Sequence, residues 1–255
     1  MSSKKKVAII TGSGKIGHIG FEVAKKMASQ NYNILLTDID GDNLEIAETE
    51  LRNNSNAEVV AVQADIGLEK EAQKVVDKAI EVWGTVDALV NNAGGGVFGL
   101  TVRPFLEHTA ESLNETMKRN LWTTIWMCRA ALPIMVQQKS GSIINIGAES
   151  VRNGLWDHAG YNCAKGGVHG MTTGLAREFA PYNIRVNVVA PAGTITAGRV
   201  KSGEELERDR VVDSIPLGRR AQAWEMAGAV AFLASDESSF ITGQVISVNG
   251  GSSML

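Results

Sequence analysis

Residues 7–20, VAIITGSGKIGHIG, pass from four apolar residues straight into a glycine-rich turn, and FEVAKKMASQ follows with Ile19, Val23 and Met27 at helical spacing. A short apolar run bounded by charge and glycine predicts a parallel strand buried on both faces. The glycines let the backbone turn sharply and approach a ligand, and the free N–H groups at the start of the helix complement negative charge there. Few chain paths meet all three demands at once.

The pattern then repeats. Ile34 to Thr37 predicts a second strand ending at Asp38, residues 42–53 a surface helix, and Glu58 to Val62 a third strand running on to Asp65. Glu69 to Trp83 predicts an amphipathic helix with Ala72, Val75, Val76, Ala79 and Val82 inward, and Val86 to Val90 a fourth strand leading into NNAGGG. One long helix is expected over 112–137, with Leu113, Met117, Leu121, Ile125, Met127 and Leu132 on its apolar face and Asn120 in its middle. Ser142 to Ile146 is the fifth strand, GAESVRNGLWDHAG a loop, Tyr161 to Ala180 a helix with Val168, Met171, Leu175 and Phe179 inward, and Ile184 to Val189 the sixth strand. A helix over Trp224 to Leu233 and a strand over Gln244 to Val248 close the series. Alternation of this kind predicts an α/β fold with a doubly wound parallel sheet of about seven strands, its ligand lying beyond the carboxyl ends of the strands. With 255 residues, 44% of them hydrophobic, one large domain over 1–255 is expected.

Composition removes several classes of partner. The formal charge is −3 with no long basic block, which argues against nucleic acid. No run reaches the roughly eighteen apolar residues of a membrane span, and the opening MSSKKKVAIITG is too polar for a signal peptide, so a cytoplasmic protein is expected. Cys128 and Cys163 follow neither metal-ligand nor redox spacing, and no metal site is expected.

Chemistry concentrates at the expected ligand end. Gly12, Gly14 and Gly17 spell the GxGxxG of a dinucleotide turn in its required strand-to-helix context. Asp38, at the end of the second strand, can accept from both adenosine ribose hydroxyls while its charge repels a 2′-phosphate, which favours NAD over NADP. The alternative is a turn or N-cap acid in DIDGDN, and Asp40 is close enough to share either role. Tyr161 and Lys165 stand four apart, about 6 Å on one helix face, so the ammonium can lower the phenol pKa. Spacing alone does not separate that pair from an ordinary solvated face. Asn120, flanked by apolar neighbours, needs partners for its amide. After Pro191 the polar segment 194–216 has weak periodicity and is expected to form a substrate lid.

Taken together, TG at Thr11 and Gly12, Asp65, NNAG at Asn91 to Gly94, Asn120, the Tyr161–Lys165 pair and IRVNVVAP before the Pro191 turn resemble the short-chain dehydrogenase/reductase family over nearly the whole chain. The resemblance implies a Rossmann-type domain, an NAD-dependent oxidoreductase interconverting a secondary alcohol and its ketone, and a homotetramer. It implies cofactor contacts from Gly12, Ser13, Lys15, Ile16, His18, Ile19, Gly20, Asp38, Ile39, Ala64, Asp65, Ile66, Asn92, Ala93, Gly94, Pro191, Ala192, Gly193, Thr194 and Thr196. Tyr161 would exchange the hydroxyl proton, Lys165 would bind the nicotinamide ribose, and Asn120 would hold a water.

Three departures from the family pattern stand out. Ala148 occupies the place, thirteen before the tyrosine, of the usual serine donor; Ser150 and a protonated Glu149 are the candidate replacements. The glycine turn is two residues longer if Gly20 is the helix-entry glycine, which puts His18 at the usual middle glycine. Ala192 replaces a glycine and is tolerable if its φ is negative. The substrate is expected at Gly95, Gly96, Phe98, Ala148, Trp156, His158 and the segment from Ala197 to Ile215, with a cyclic or arylalkyl alcohol suited to the apolar residues. Arg103, Arg152 and His158 could instead attract a carboxylate or a hydroxyacyl thioester. A catalytically impaired subunit of a hetero-oligomer and a 3-oxoacyl reductase are the alternatives. Trp122 and Trp126 on the long helix are read as tetramer contacts or as core.

Overall fold

The computed structural model describes residues 5–196 and 210–254. Seven parallel strands form one sheet: β1 Lys6–Thr11, β2 Tyr32–Asp38, β3 Val59–Gln63, β4 Ala88–Asn91, β5 Gly141–Ile146, β6 Ile184–Pro191 and β7 Val245–Val248. Their order is β3-β2-β1-β4-β5-β6-β7, so the winding reverses between β1 and β4, and a crevice opens there at the carboxyl ends. The helices are α1 Ile19–Ser29, α2 Gly41–Asn53, α3 Glu69–Trp83, α4 Ala110–Met117, α5 Thr123–Gln138, α6 Ala159–Phe179 and α7 Ala223–Ala234.

Strand pleating divides the core. Ala8, Ile10, Ile34, Leu36 and Val90 pack on α1, α2 and α7, whereas Val7, Ile9, Leu35 and Leu89 pack on α3 and α5. Both faces are covered, which is why the strands read as unbroken apolar runs. Each fully buried Ile or Leu in them contributes about 2 kcal/mol.

Three inward faces differ from the periodicity. On α3 the stripe ends at Trp83, 9% exposed, and not at Val82, 41% exposed, because the fourth-residue step keeps closer to the 3.6-residue turn. The helix expected over 112–137 is α4, a π turn at Lys118–Trp122, and α5. Ser112, Thr116 and Asn120 face inward there, while Leu113, Met117, Leu121 and Ile125 are only half-buried. Leu113 and Leu121 lie against Gly160 and Gly167 of α6, where a Cβ would come within 3.2 and 3.0 Å of their methyls. On α6 the buried positions are Ala164, Lys165, Val168, Thr172 and Ala176, with Met171, Leu175 and Phe179 at its margin. The loop after β5 contains one helical turn, Ser150–Asn153. No helix among the described residues is long and apolar enough to cross a membrane.

Candidate active site

Thr11, at the end of β1, welds two turns together. Its Oγ1 accepts the N–H groups of Asn92 and Ala93, both at 2.9 Å, while Asn92 Nδ2 donates to the carbonyls of Thr11 and Gly12 at 3.0 and 2.9 Å. Gly12 has φ 63°, and a Cβ there would lie 2.8 Å from the Ala93 Cα. Gly20 sits in the first turn of α1, where a Cβ would stand 2.3 Å from the Gly12 carbonyl oxygen. These absent side chains let the glycine turn pack directly on α1 and on the Asn92–Ala93 turn, which sets the start of the helix at the edge of the cleft. Lys15, His18 and Ile19 line the cleft from this turn. Burial, then the charge of Lys15, lowers the His18 pKa, with Asp38 opposing. The Ser13 hydroxyl points the other way: it donates to the Ile10 carbonyl at 2.8 Å and accepts from the Thr37 N–H at 3.2 Å, so it ties β1 to β2 and cannot present that hydroxyl to a phosphate. Ile16 is exposed and off the cleft wall.

The structure separates the two acids of DIDGDN. Asp40 caps α2 by accepting from the Asn43 N–H at 3.1 Å, and Asp38 accepts from Gly14 N–H at 2.9 Å and Asp40 N–H at 3.2 Å. Ile39, Ala64, Asp65 and Ile66 continue this wall. Asp65 is held by Lys118 at 2.7 Å and by the Gly67 N–H at 3.1 Å. Lys118 carried no sequence signal, since 53 residues separate it from its partner.

At the other end, α6 brings Tyr161 and Lys165 onto the same cleft. Lys165 is buried, its Nζ donates to the Ile146 carbonyl at 2.8 Å, and burial brings its pKa down to about 8. The expected lowering of the Tyr161 pKa is not what the chain alone produces: burial pushes the phenol up. The Tyr161 ring meets His158 edge-on, centroids 5.7 Å apart, and His158 Nδ1 lies 2.6 Å from the Trp156 carbonyl, so Nδ1 carries the hydrogen. Asn120 lies within the π turn, a distortion frequent at functional sites. Its Oδ1 accepts from Gly95 N–H at 2.7 Å and its Nδ2 donates to Thr116 O at 3.2 Å, so this side chain braces the NNAGG turn.

Both candidate replacements for the serine have other partners. Glu149 pairs with Arg152 at 3.1 Å and accepts from the Ser253 hydroxyl; its carboxylate is engaged from two sides and does not fit the role of a protonated donor. Ser150 donates to Asn162 Oδ1 at 2.6 Å, and Asn162 Nδ2 donates back to the Ser150 carbonyl at 2.9 Å. Ala148 is buried, with its N–H directed at His169 Nε2, 3.4 Å away. Burial first, then Arg152 and Lys165, lower the His169 pKa to about 4.

Gly95, Gly96, Phe98, Ala148 and His158 line the substrate side, whereas Trp156 is 67% exposed and off the cleft wall. Pro191, Ala192, Gly193, Thr194 and Thr196 form the far wall, and Ala192 is not among the residues with positive φ. Of the expected lid, 197–209 lies outside the described residues; Thr194–Ile195 pairs with Ala221–Gln222, and Val211, Ser214 and Ile215 line the cleft. Arg103 bonds the Glu107 carbonyl and Arg152 pairs with Glu149, and neither lines the cleft. Val102, Leu155, Arg220 and Ser252 do line it, and sequence spacing did not single them out. The whole is one continuous cleft of about 830 Å³, within the range of small-molecule sites.

A family model described as enoyl-(acyl carrier protein) reductase matches residues 14–253. A 2,3-dihydroxy-2,3-dihydro-p-cumate dehydrogenase of Pseudomonas putida is 48% identical over 252 residues, 98% of this chain and 95% of that protein. A 1,6-dihydroxycyclohexa-2,4-diene-1-carboxylate dehydrogenase of Acinetobacter baylyi is 35% identical over 258 residues, 96% of this chain and 95% of that protein. The crystal structure of gox2181 superposes with a TM-score of 0.90 at 32% identity, covering 97% of this chain and 95% of that one.

Proposed function

The chain belongs to the short-chain dehydrogenase/reductase family, and from that premise we propose that it oxidises a vicinal diol on a cyclohexadiene ring to a catechol, with NAD as the acceptor. It is an oxidoreductase acting on an alcohol or ketone with a nicotinamide cofactor. The observation that carries the finer reading is that Tyr161 and Lys165 open onto the same cleft as the glycine turn and Asp38. The names of both relatives describe dihydroxylated, partly hydrogenated ring carboxylates, and the apolar Val97, Phe98, Val102 and Leu155 suit a ring.

Bound NAD would accept the hydride of the reaction. The tight glycine turn through Gly12, closing on the first turn of α1 at Gly20, would hold its pyrophosphate, and the Asp38 carboxylate supports NAD over a 2′-phosphorylated cofactor. Oxidation breaks one carbinol C–H and its O–H bond, and the resulting hydroxydienone becomes aromatic on enolisation, which favours this direction. Tyr161 takes the hydroxyl proton in its phenolate form, and the buried Lys165 ammonium, one helical turn on, is the charge that stabilises that phenolate. Asn120 holds Gly95 and so the wall on which the ring rests. Trp122, stacked on Trp126 at 5.3 Å and 42% exposed, supports a homotetramer that covers this helix.

The test mixes purified protein, NAD and a neutral dihydroxycyclohexadiene and follows NADH and catechol together. Both should accumulate. NAD binding with no turnover of ring diols would instead favour the impaired-subunit reading.

A further inference from the structure

The segment GLWDHAGY leads into α6 and sets a histidine three residues ahead of Tyr161. Asp157 has φ 63°, a left-handed conformation that an aspartate tolerates better than a branched side chain, and its carbonyl accepts from the Arg103 N–H at 2.9 Å. The next residue, His158, is the N-cap of α6, and its carbonyl accepts the Asn162 N–H at 2.6 Å. Residues three apart at a helix start share a face, so the imidazole is brought against the Tyr161 ring, with centroids 5.7 Å apart and planes at 83°. Both residues line the cleft.

The two ring nitrogens of His158 are not equivalent. Nδ1 lies 2.6 Å from the Trp156 carbonyl, which only accepts, so Nδ1 holds the hydrogen and the neutral ring offers Nε2 as a lone-pair acceptor. None of the described residues hydrogen-bonds Nε2. The polar side chains that follow β5 on this wall are engaged elsewhere: the buried Glu149 holds Arg152 and Ser253, and the buried Ser150 hydroxyl gives its hydrogen to Asn162. An imidazole with a lone pair to offer thus stands at right angles to the phenol that takes the reacting hydroxyl. A vicinal diol that presents one oxygen to Tyr161 carries its other hydroxyl on the neighbouring carbon.

We propose that His158 Nε2 accepts a hydrogen bond from the hydroxyl that is not oxidised, so that the site selects vicinal diols over ring alcohols bearing one hydroxyl. This rests on the ring-diol reading. A site that hydrogen-bonds an O–H rejects the analogue lacking it, because the polar group of the protein is then left unpaired. The bond exists in the ground state as well as in the transition state, so it acts on binding and not on the hydride step. His158 is a specificity-determining residue in this scheme: the second O–H stays intact, and Tyr161 alone takes the proton of the first.

The experiment follows NADH production from 1,2-dihydroxycyclohexadiene, and its inhibition by catechol, with two adjacent hydroxyls, and by phenol, with one, for wild type, His158→Phe and His158→Gln. Phe keeps a flat ring against Tyr161 without an acceptor, and Gln restores an acceptor. Wild type should bind catechol about tenfold or more tighter than phenol. His158→Phe should bring that ratio to within about threefold of one and raise KM for the diol by about tenfold, with a smaller change in kcat. His158→Gln should recover part of both. A wild type that binds catechol and phenol alike, a ratio unchanged in His158→Phe, or a loss carried by kcat with KM unmoved would overturn the His158 assignment while leaving the ring-diol reading intact. Wild type that does not turn over the diol would overturn both.

Discussion

The N–H of Gly14 donates to Asp38 Oδ2 at 2.9 Å, and a Cβ on Gly14 would press to 3.0 Å from the Asp38 side chain. The glycine turn and the end of β2 are thereby locked, with a fixed negative charge on the cleft wall. Asp38→Ser should raise the NADP-to-NAD ratio of kcat/KM by about tenfold or more, because it removes the charge that would repel a 2′-phosphate. An unchanged ratio in steady-state kinetics would place cofactor choice elsewhere.

Tyr161→Phe keeps the ring against His158 and removes the only group assigned to the proton. Turnover should fall by about 10²–10⁴. NAD affinity, read by fluorescence titration, should stay within about twofold; residual activity near wild type would remove Tyr161 from the chemistry.

Burial holds Lys165 at about 8, below the 10.5 of an unperturbed lysine. Between those values the unfolded chain binds more protons than the folded one, so this group adds stability as pH rises, and its full cost is present below the window. The gain of Lys165→Met over wild type should therefore be largest near neutral pH and shrink across about 8 to 10.5. Urea unfolding of both proteins on either side of that window measures it, and a difference flat in pH would contradict the burial argument.

Gly94 has φ 122°, and a Cβ there would fall 2.7 Å from Asn120 Oδ1 and 2.8 Å from the Arg119 carbonyl. Gly94→Ala should cost about 3 kcal/mol or more, combining strain with a clash against backbone that cannot yield. Gly84 has φ 73° with nothing within 4 Å, so Gly84→Ala should cost only about 1 kcal/mol. Chemical denaturation distinguishes the two, and equal losses would mean that the clash is relieved.

Ser150→Ala removes the hydrogen bond to Asn162. Stability should drop by about 1 kcal/mol and kcat by less than about tenfold. A fall of about 10²–10³ in kcat would instead identify Ser150 as the donor that stands in for the serine missing at Ala148.

Much of the architecture could be read without coordinates because buried parallel strands and amphipathic helices carry period and composition in a few adjacent residues. The seven-stranded parallel sheet was legible in that way, and the family through the resemblance of its spaced motifs from Thr11 to Pro191. Where the local rule met a competing contact it failed. Val82 lost the core to Trp83, and the face holding Leu113 and Leu121 packs on α6 glycines while Ser112, Thr116 and Asn120 take the buried positions. The π turn at Lys118–Trp122 has no periodic signature, since it is a local insertion in an otherwise helical pattern.

By itself the sequence determined the order of the strands' apolar runs, the glycine turn, Asp38, and the placing of Tyr161 and Lys165 one helical turn apart. Only the tertiary structure decided that Asp40 caps α2 while Asp38 meets Gly14, that the Ser13 hydroxyl faces the core, and that Glu149 and Ser150 already have partners. It also decided that Arg220, 55 residues beyond Lys165 in the chain, shares a cleft with it. The reason is physical: helical and strand periods act over a few residues, whereas hydrogen-bond partners, burial and side-chain direction depend on which distant segments the sheet brings together.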